Sequence, residues 1–159
     1  MGVPAKQHIE KVSNKEAGKG AKSNKQNDTF ALVRSLKGPD FKFSVLVEKG
    51  FPLTFVETLR EEGFTPGEVH SLVVPARTLK HRRAKKQDLS PEETDRAVRL
   101  TKIATLADRV FGNHDKALRW LRRRNQRLDG RAPLEMLRTE VGGDLVEQML
   151  YQIDEGIYV

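Results

Sequence analysis

The sequence contains no cysteine in its 159 residues. This absence excludes a disulfide framework, a thiolate metal site and a cysteine nucleophile, and it is typical of a cytosolic protein. No apolar run approaches the roughly 20 residues that a membrane helix needs. The first twenty residues also lack the apolar centre of a secretory signal. Together these absences predict a cytoplasmic protein without a membrane segment or a membrane partner.

Sequence motifs that mark common enzymes are absent as well. The chain has no P-loop, no GxGxxG dinucleotide fingerprint and no GxSxG nucleophile turn. Its histidines are scattered and form no HExxH or similar ligand pair; they are His8, His70, His81 and His114. We therefore expect a protein that is not an enzyme, with no catalytic residue, no metal and no cofactor.

What the sequence has in excess is positive charge. The formal net charge is +7, which favours an anionic partner such as nucleic acid. Residues 1–28 are low in apolar content and lysine-rich, so they cannot bury enough apolar surface to fold, and we predict a disordered basic arm there. This arm is either a solubilising tail or a segment attracted weakly to DNA phosphate. Its charged residues are Lys6, Lys11, Lys15, Lys19, Lys22 and Lys25, against Glu10, Glu16 and Asp28.

From residue 29 onward the pattern predicts an all-α fold. The alternation over residues 41–47 also fits a strand, but Ser44 as a cap and Gly50 as a stop favour a helix there. Thr65-Pro66 and Ser90-Pro91 are clear helix starts, because each places a capping side chain before a proline at the first helical position.

The last sixty residues carry further helix signals. The helix opened by Ser90 shows a 3.6-residue apolar stripe that ends at Gly112. Trp120 has helical spacing from its apolar neighbours, which favours a core position over a base-stacking platform. A short helix from Pro133 is predicted to end near Gly142-Gly143. Asp144 would then cap a last helix with an inward stripe of Leu145, Val146, Met149, Leu150 and Ile153.

Residues 64–86 have the pattern of a helix-turn-helix. Leu79 and Ala76 would pack inward, while the polar residues of the second helix face outward and contact DNA. Its first residues would reach base edges and its basic end would contact phosphate. The alternative is a solvated basic helix end, which the helix dipole favours. The predicted DNA-binding residues are Arg77, Thr78, Lys80, His81, Arg82, Arg83, Lys85 and Lys86.

A second basic cluster flanks Trp120. It consists of Arg119, Arg122, Arg123, Arg124, Arg127 and Arg131. These side chains would be a solvated face, would pair with Glu135, Glu140 and Glu147, or would form the rim of a surface for an acidic protein partner. RNA binding is a further, weaker interpretation.

Residues 89–159 resemble the Xre/MbcA/ParS family of toxin-binding antitoxins. The matching blocks are LSPEETDRAVRLTKI, VFGNHDKALRWL, NQRLDGRAPLEMLRTEVGGDLVEQML and the closing DEGIYV. Residues 44–88 look like the Xre-type helix-turn-helix that accompanies this domain, although the turn Val73-Val74-Pro75 lacks the usual glycine. The family pattern falls on Asn125, Leu128, Gly130, Pro133, Leu134, Leu137, Gly142, Val146 and Gly156.

The resemblance implies a bacterial type II antitoxin. Its partners would be a RES-domain toxin that consumes NAD or transfers parts of it, and operator DNA, through which it represses its own operon. With the basic arm at 1–28, which is longer than the family pattern would have, the resemblance gives an N-terminal helical region at 29–88 with the helix-turn-helix and a toxin-binding domain at 89–159. A homodimer is expected, because such repressors read paired half-sites. The alternative is a stand-alone helix-turn-helix regulator without a toxin.

The same resemblance implies that the end of the chain covers the toxin's NAD cleft. Ile157 and Tyr158 would supply apolar area, Gly156 would turn the chain away from the helix axis, and Glu155 would pair with cations of the cleft. The alternative is that Ile157 and Tyr158 pack back onto the core of this chain. The expected toxin-binding residues are Arg122, Arg123, Asn125, Arg127, Glu155, Gly156, Ile157, Tyr158 and Val159.

Overall fold

The computed structural model describes residues 29–36, 38 and 40–157, and within these the chain is helical, with one isolated bridge between Asn125 and Arg131 as its only β pairing. The all-α prediction is confirmed, whereas the predicted basic arm at 1–28 lies outside the described residues. The helices are α1 (29–35), α2 (Phe41–Lys49), α3 (Thr54–Glu61), α4 (Pro66–Leu72), α5 (Ala76–Lys85), α6 (Pro91–Phe111), α7 (His114–Arg122), α8 (Pro133–Met136) and α9 (Glu140–Asp154), with a 3₁₀ turn at Gln126–Leu128.

Helix α2 begins earlier than the sequence suggested. Oδ1 of Asp40 accepts a hydrogen bond from the backbone N–H of Phe43 at 2.8 Å, so Asp40 is the cap and Ser44 lies inside the helix. The predicted stop at Gly50 is correct. A Cβ at this position would lie 2.1 Å from the carbonyl oxygen of Leu89, and its φ of +82° also favours glycine. The close approach joins the end of α2 to the segment before α6.

The helix starts predicted at Thr65 and Ser90 are both present, and each is a capping box. The hydroxyl of Thr65 accepts from the N–H of Glu68 at 3.2 Å, and Glu68 accepts in return from the N–H of Thr65 at 2.7 Å. Ser90 and Glu93 repeat the arrangement at 3.2 and 2.8 Å. These bonds satisfy N–H groups that have no partner within the helix, and they define where α4 and α6 begin.

The start of α9 corrects the predicted break at Gly142-Gly143. Thr139 caps this helix, its hydroxyl accepting from the N–H of Gly142, so Asp144 is not the cap and both glycines lie in the first turn. Glycine is needed at position 142 because α9 packs closely against α8, and not because a helix ends there. A Cβ on Gly142 would lie 2.1 Å from the carbonyl oxygen of Met136, so only glycine allows α9 to start this close to α8.

One hydrophobic core joins all parts of the described chain. Helix α6 lies at its centre and packs against α2, α4, α7 and α9. Trp120 is partly buried against this core, its ring centroid 5.6 Å from that of Phe111, which agrees with a packing role. The most deeply buried side chains come from both halves of the chain and include Val33, Leu59, Val69, Leu100, Leu121, Leu137, Val146 and Leu150.

Two further properties concern the described part of the chain alone. None of its helices is long and apolar enough to cross a membrane. Nor do its His, Asp and Glu side chains gather in a group of three that could hold a metal ion.

Candidate functional site

Helices α4 and α5 lie where the sequence predicts the helix-turn-helix, and the turn between them is held by buried valines. Val73 and Val74 are 1% and 0% exposed, and the N–H of Val74 donates to the carbonyl of Val69 at 3.2 Å. The φ of Val73 is −115°, so the turn requires no residue in the left-handed region. This explains how the motif forms without the glycine that usually occupies such a turn.

Helix α5 is anchored to the core by Leu79, which is 4% exposed. Ala76 was expected to pack inward as well, but it is exposed. It is the first residue of the helix and follows Pro75, which is also exposed, so this end of α5 projects from the core. With only one buried side chain, the helix presents most of its surface to solvent.

The exposed face of α5 is cationic. The side chains that were predicted to reach DNA and that lie exposed here are Arg77, Lys80, His81, Arg83, Lys85 and Lys86, while Thr78 is half-buried. Lys86 ends the helix in the left-handed conformation, with φ of +52°. No acidic residue occurs between Arg77 and Lys86, so this surface has the charge that DNA phosphate attracts.

Two of the predicted DNA contacts form ion pairs within the chain. Nε of Arg82 lies 2.8 Å from Oε2 of Glu93, and its guanidinium also donates to the carbonyl of Asp88 at 3.1 Å. The Arg82 side chain is 21% exposed and therefore does not face outward as expected. Arg83 forms an ion pair with Glu57 of α3 but keeps half of its surface in solvent. Arg82 fastens the end of α5 to the start of α6.

The second basic cluster, like α5, contains an arginine that is paired within the chain and others that are exposed. Arg122 turns towards the helix-turn-helix and binds Glu68 with two nitrogens, Nε to Oε1 at 2.7 Å and Nη2 to Oε2 at 2.9 Å. Although partial burial acts in the opposite direction, the hydrogen bonds from Arg122 and Thr65 hold the pKa of Glu68 below its usual 4.5. The partner of Arg122 is thus an acid of α4, fifty-four residues upstream, and not one of the acids at 135–147.

The loop after α7 is organised by Asn125. Its side-chain oxygen accepts from the N–H of Arg127 at 2.9 Å, and its backbone N–H donates to the carbonyl of Arg131 at 3.0 Å. Leu128 pins the loop to the protein with 3% exposure. Arg123 and Arg127, two of the expected toxin contacts, lie exposed on either side of Asn125.

Beyond α9 the chain turns at Gly156, whose φ is +69°. The N–H of Ile157 donates to the carbonyl of Gln152 at 2.9 Å, but its side chain is 64% exposed. Ile157 therefore does not pack back onto the core, and Glu155 is exposed beside it. Tyr158 and Val159 lie outside the described residues.

One surface was missed by the sequence reading. Leu145 was assigned to the inward stripe of α9 but is 41% exposed, and Val141, four residues earlier, is 79% exposed. Tyr151 is also exposed, with the guanidinium of Arg109 5.9 Å from its ring centroid. The spacing of Val141 and Leu145 is a helical signal, but sequence alone does not say which of two apolar stripes faces the core.

Comparison with known families assigns these surfaces to two domains. Residues 44–102 match the antitoxin Xre-like helix-turn-helix domain, and residues 106–156 match the Antitoxin Xre/MbcA/ParS C-terminal toxin-binding domain. The resemblance read from the sequence is thereby confirmed. The interval between the two matches falls inside α6, so a single continuous helix connects the domains.

Curated relatives agree with both matches. The protein named Antitoxin Xre from Pseudomonas putida is 38% identical over 117 residues, which cover 74% of each chain. Antitoxin Xre from Yersinia enterocolitica is 26% identical over 136 residues, or 82% of this chain and 92% of the relative. Antitoxin Xre from Photorhabdus laumondii is 27% identical over 126 residues, or 77% and 84%.

Proposed function

The chain belongs to the Xre family of antitoxins, and on this premise we propose that it neutralises a RES-domain toxin and represses its own operon. The role of antitoxin in a toxin–antitoxin system follows from the family. The kind of toxin, the way it is blocked and the operator are our proposals. The observation that carries the blocking mechanism is the end of α9, where Gly156 turns the chain and Ile157 extends into solvent.

Residues 155–159 are proposed to occupy the toxin's active-site cleft. An exposed aliphatic side chain beyond a glycine turn supports this role, because anchors of this kind dominate binding when they enter a closed pocket. The carboxylate of Glu155 would pair with cations that otherwise hold the pyrophosphate of NAD. Arg123, Asn125 and Arg127 would contact the rim of the cleft, and rim charges affect association rate more than affinity.

Co-expression with a RES-domain toxin tests this proposal. The complex is purified and NAD consumption is measured against antitoxin concentration. Ile157→Asp should weaken inhibition by roughly 30-fold, the effect of losing one interface anchor of about 2 kcal/mol. Val141→Asp makes the same chemical change at the other end of α9 and serves as the matched control. Full inhibition by a chain truncated after Asp154 would contradict the occlusion mechanism.

DNA binding is proposed to use the exposed cationic face of α5. Arg77 and Thr78, at the start of the helix, would contact base edges, and Lys85 and Lys86 would contact phosphate. The promoter DNA upstream of its own coding sequence is the expected target. The protein would bind it as a homodimer, because helix-turn-helix repressors read two half-sites related by symmetry.

Fluorescence anisotropy with the upstream duplex tests this second arm. Lys85→Ala should reduce the slope of log affinity against log salt by about 0.9, the value for one lost phosphate contact. Lys116→Ala removes an exposed cation of α7 and is the control.

Light scattering at concentrations that saturate the duplex measures the oligomeric state of the bound protein, and a monomer there would contradict the proposed dimer. DNA binding without any toxin partner would identify the chain as a stand-alone regulator.

A further inference from the structure

The first helix of the helix-turn-helix is held by an arginine from the other domain. At the start of α4, Arg122 makes three hydrogen bonds: to both carboxylate oxygens of Glu68, at 2.7 and 2.9 Å, and to the carbonyl oxygen of Gly63 at 2.8 Å. The two parallel bonds to Glu68 fix the direction as well as the distance of the contact. Arg122 is the last residue of α7 and belongs to the toxin-binding domain.

The far end of α4 has contacts of the same kind. Arg138, also in the toxin-binding domain, donates to the hydroxyl of Ser71 at 2.8 Å. Arg96 of α6 donates to the carbonyl of Val73, in the turn between α4 and α5, at 3.2 Å. Both ends of a seven-residue helix are thus bound by arginines of the elements that follow it in the chain.

These contacts matter because α4 and α5 themselves bury few apolar side chains, in addition to Val73 and Val74 of the turn between them. Only Val69 and Leu72 of α4 are buried, and only Leu79 of α5. In helix-turn-helix docking the first helix crosses the DNA backbone and the second lies in the major groove, so the orientation of the pair determines which contacts form. A polar contact that fixes the start of α4 therefore bears directly on DNA affinity.

We propose that Arg122 is a positioning residue for DNA binding, which holds α4 through Glu68 and Gly63, and not a contact to the toxin. The inference rests on the proposed function and refines it: the toxin-binding domain orients the DNA-binding motif. Arg122 lies one residue before Arg123 and three before Asn125, so the surface expected to contact toxin and the residue that orients α4 share one segment. The charge state fits, because the hydrogen bond to Glu68 raises the pKa of the Arg122 guanidinium further above its ordinary value.

Anisotropy with the upstream duplex at several salt concentrations tests the proposal, with Arg122→Ala against Arg123→Ala. Arg123 is exposed and its side chain forms no ion pair within the described part of the chain, which makes it the matched control. Arg122→Ala should weaken binding about tenfold, since apparent affinity falls with the fraction of protein in the competent orientation. The salt slope should stay unchanged, because no phosphate contact is lost. Inhibition of the co-expressed toxin should also be unchanged.

Glu68→Gln supplies the second variant. Glutamine keeps the cap to the N–H of Thr65, since a capping box accepts either residue, but it lacks the charge that binds Arg122. Like Arg122→Ala, it should weaken DNA binding. The double variant should bind DNA as well as Arg122→Ala alone does, because both substitutions remove the same interaction. Arg122→Lys should keep only part of the DNA affinity, since an ammonium cannot bind both carboxylate oxygens in parallel.

Three results would overturn the positioning role. A salt slope reduced by about 0.9 in Arg122→Ala would make Arg122 a phosphate contact. Lost toxin inhibition with unchanged DNA affinity would make it a toxin contact. If the losses of DNA affinity in Arg122→Ala and Glu68→Gln were additive in the double variant, the two residues would act independently. Failure of the wild-type chain to prefer the upstream duplex over a scrambled one would instead overturn the proposed DNA function and the positioning role with it.

Discussion

Nδ1 of His114 lies 2.9 Å from Oδ1 of Asp108, while its Nε2 lies 2.9 Å from the carbonyl oxygen of Glu62. Both partners are acceptors, so only the doubly protonated ring satisfies both contacts. Arg34 of α1 joins the cluster through ion pairs to the carboxylates of Glu62 and Asp108. The imidazolium therefore fastens the start of α7 to α6 and to the end of α3.

This cluster predicts a dependence of stability on pH. Partial burial opposes protonation, but the hydrogen bond to Asp108 and that to Glu62 raise the pKa of His114 above 6.5. A raised pKa contributes stability that is complete below the unfolded value and is lost as pH rises through the folded value. The difference in unfolding free energy between wild type and His114→Gln should thus shrink from pH 5.5 towards pH 8.5. Urea unfolding measures it, with His81→Gln as the control, and a difference that does not change with pH would contradict the prediction.

Two helical glycines should respond oppositely to alanine. At Gly142 a Cβ would lie 2.1 Å from the carbonyl oxygen of Met136, so the backbone must shift, and we expect a loss of about 1–3 kcal/mol of unfolding free energy. At Gly67 nothing lies within 4 Å of the added atom, and alanine should stabilise α4 by about 0.4–1 kcal/mol. Chemical denaturation compares the two variants. Equal effects would show that α8 and α9 do not pack as described.

Arg77 and Arg82 should affect different properties, although they lie in one helix. Removing Arg82 leaves the carboxylate of Glu93, a residue 6% exposed, without its cation, and this should cost about 1–3 kcal/mol of stability. Arg77 is exposed, so Arg77→Ala should leave stability within about 0.5 kcal/mol and weaken DNA binding instead. Thermal unfolding and anisotropy on both variants check the separation. If Arg82→Ala kept its stability but lost DNA affinity, Arg82 would be a DNA contact, as the sequence predicted.

Helix α9 predicts a similar separation between two leucines. Leu150 is 0% exposed, and its replacement by alanine should cost about 2–5 kcal/mol through the cavity left in the core. Leu145 is 41% exposed, and the same change there should cost less than about 0.5 kcal/mol. Circular dichroism melts of the two variants measure the difference. If Leu145→Ala were as destabilising as Leu150→Ala, α9 would pack against the core with a different face from the one described.

Local signals in the sequence were sufficient for most helix boundaries. The capping boxes at Thr65 and Ser90 form between residues three positions apart, so nothing distant is needed to specify them. The cap at Asn113 and the stop at Gly112 are local in the same sense. The role of Gly142 and Gly143 could not be judged this way, because a Cβ on Gly142 would meet the carbonyl oxygen of Met136 and one on Gly143 would meet the side chain of Arg99. These contacts lie outside the local sequence.

By itself, therefore, the sequence determined an all-α chain, the helix starts at Thr65 and Ser90, the family to which it belongs and the cationic helix that follows Pro75. Only the tertiary structure decided which cationic side chains are free of ion pairs within the described part of the chain and can contact a partner. Arg82 and Arg122 look like Arg77 and Arg123 in the sequence, yet they bind Glu93 and Glu68, which lie 11 residues after Arg82 and 54 residues before Arg122. An ion pair depends on which helices pack together, and charge patterning along the chain does not contain that information.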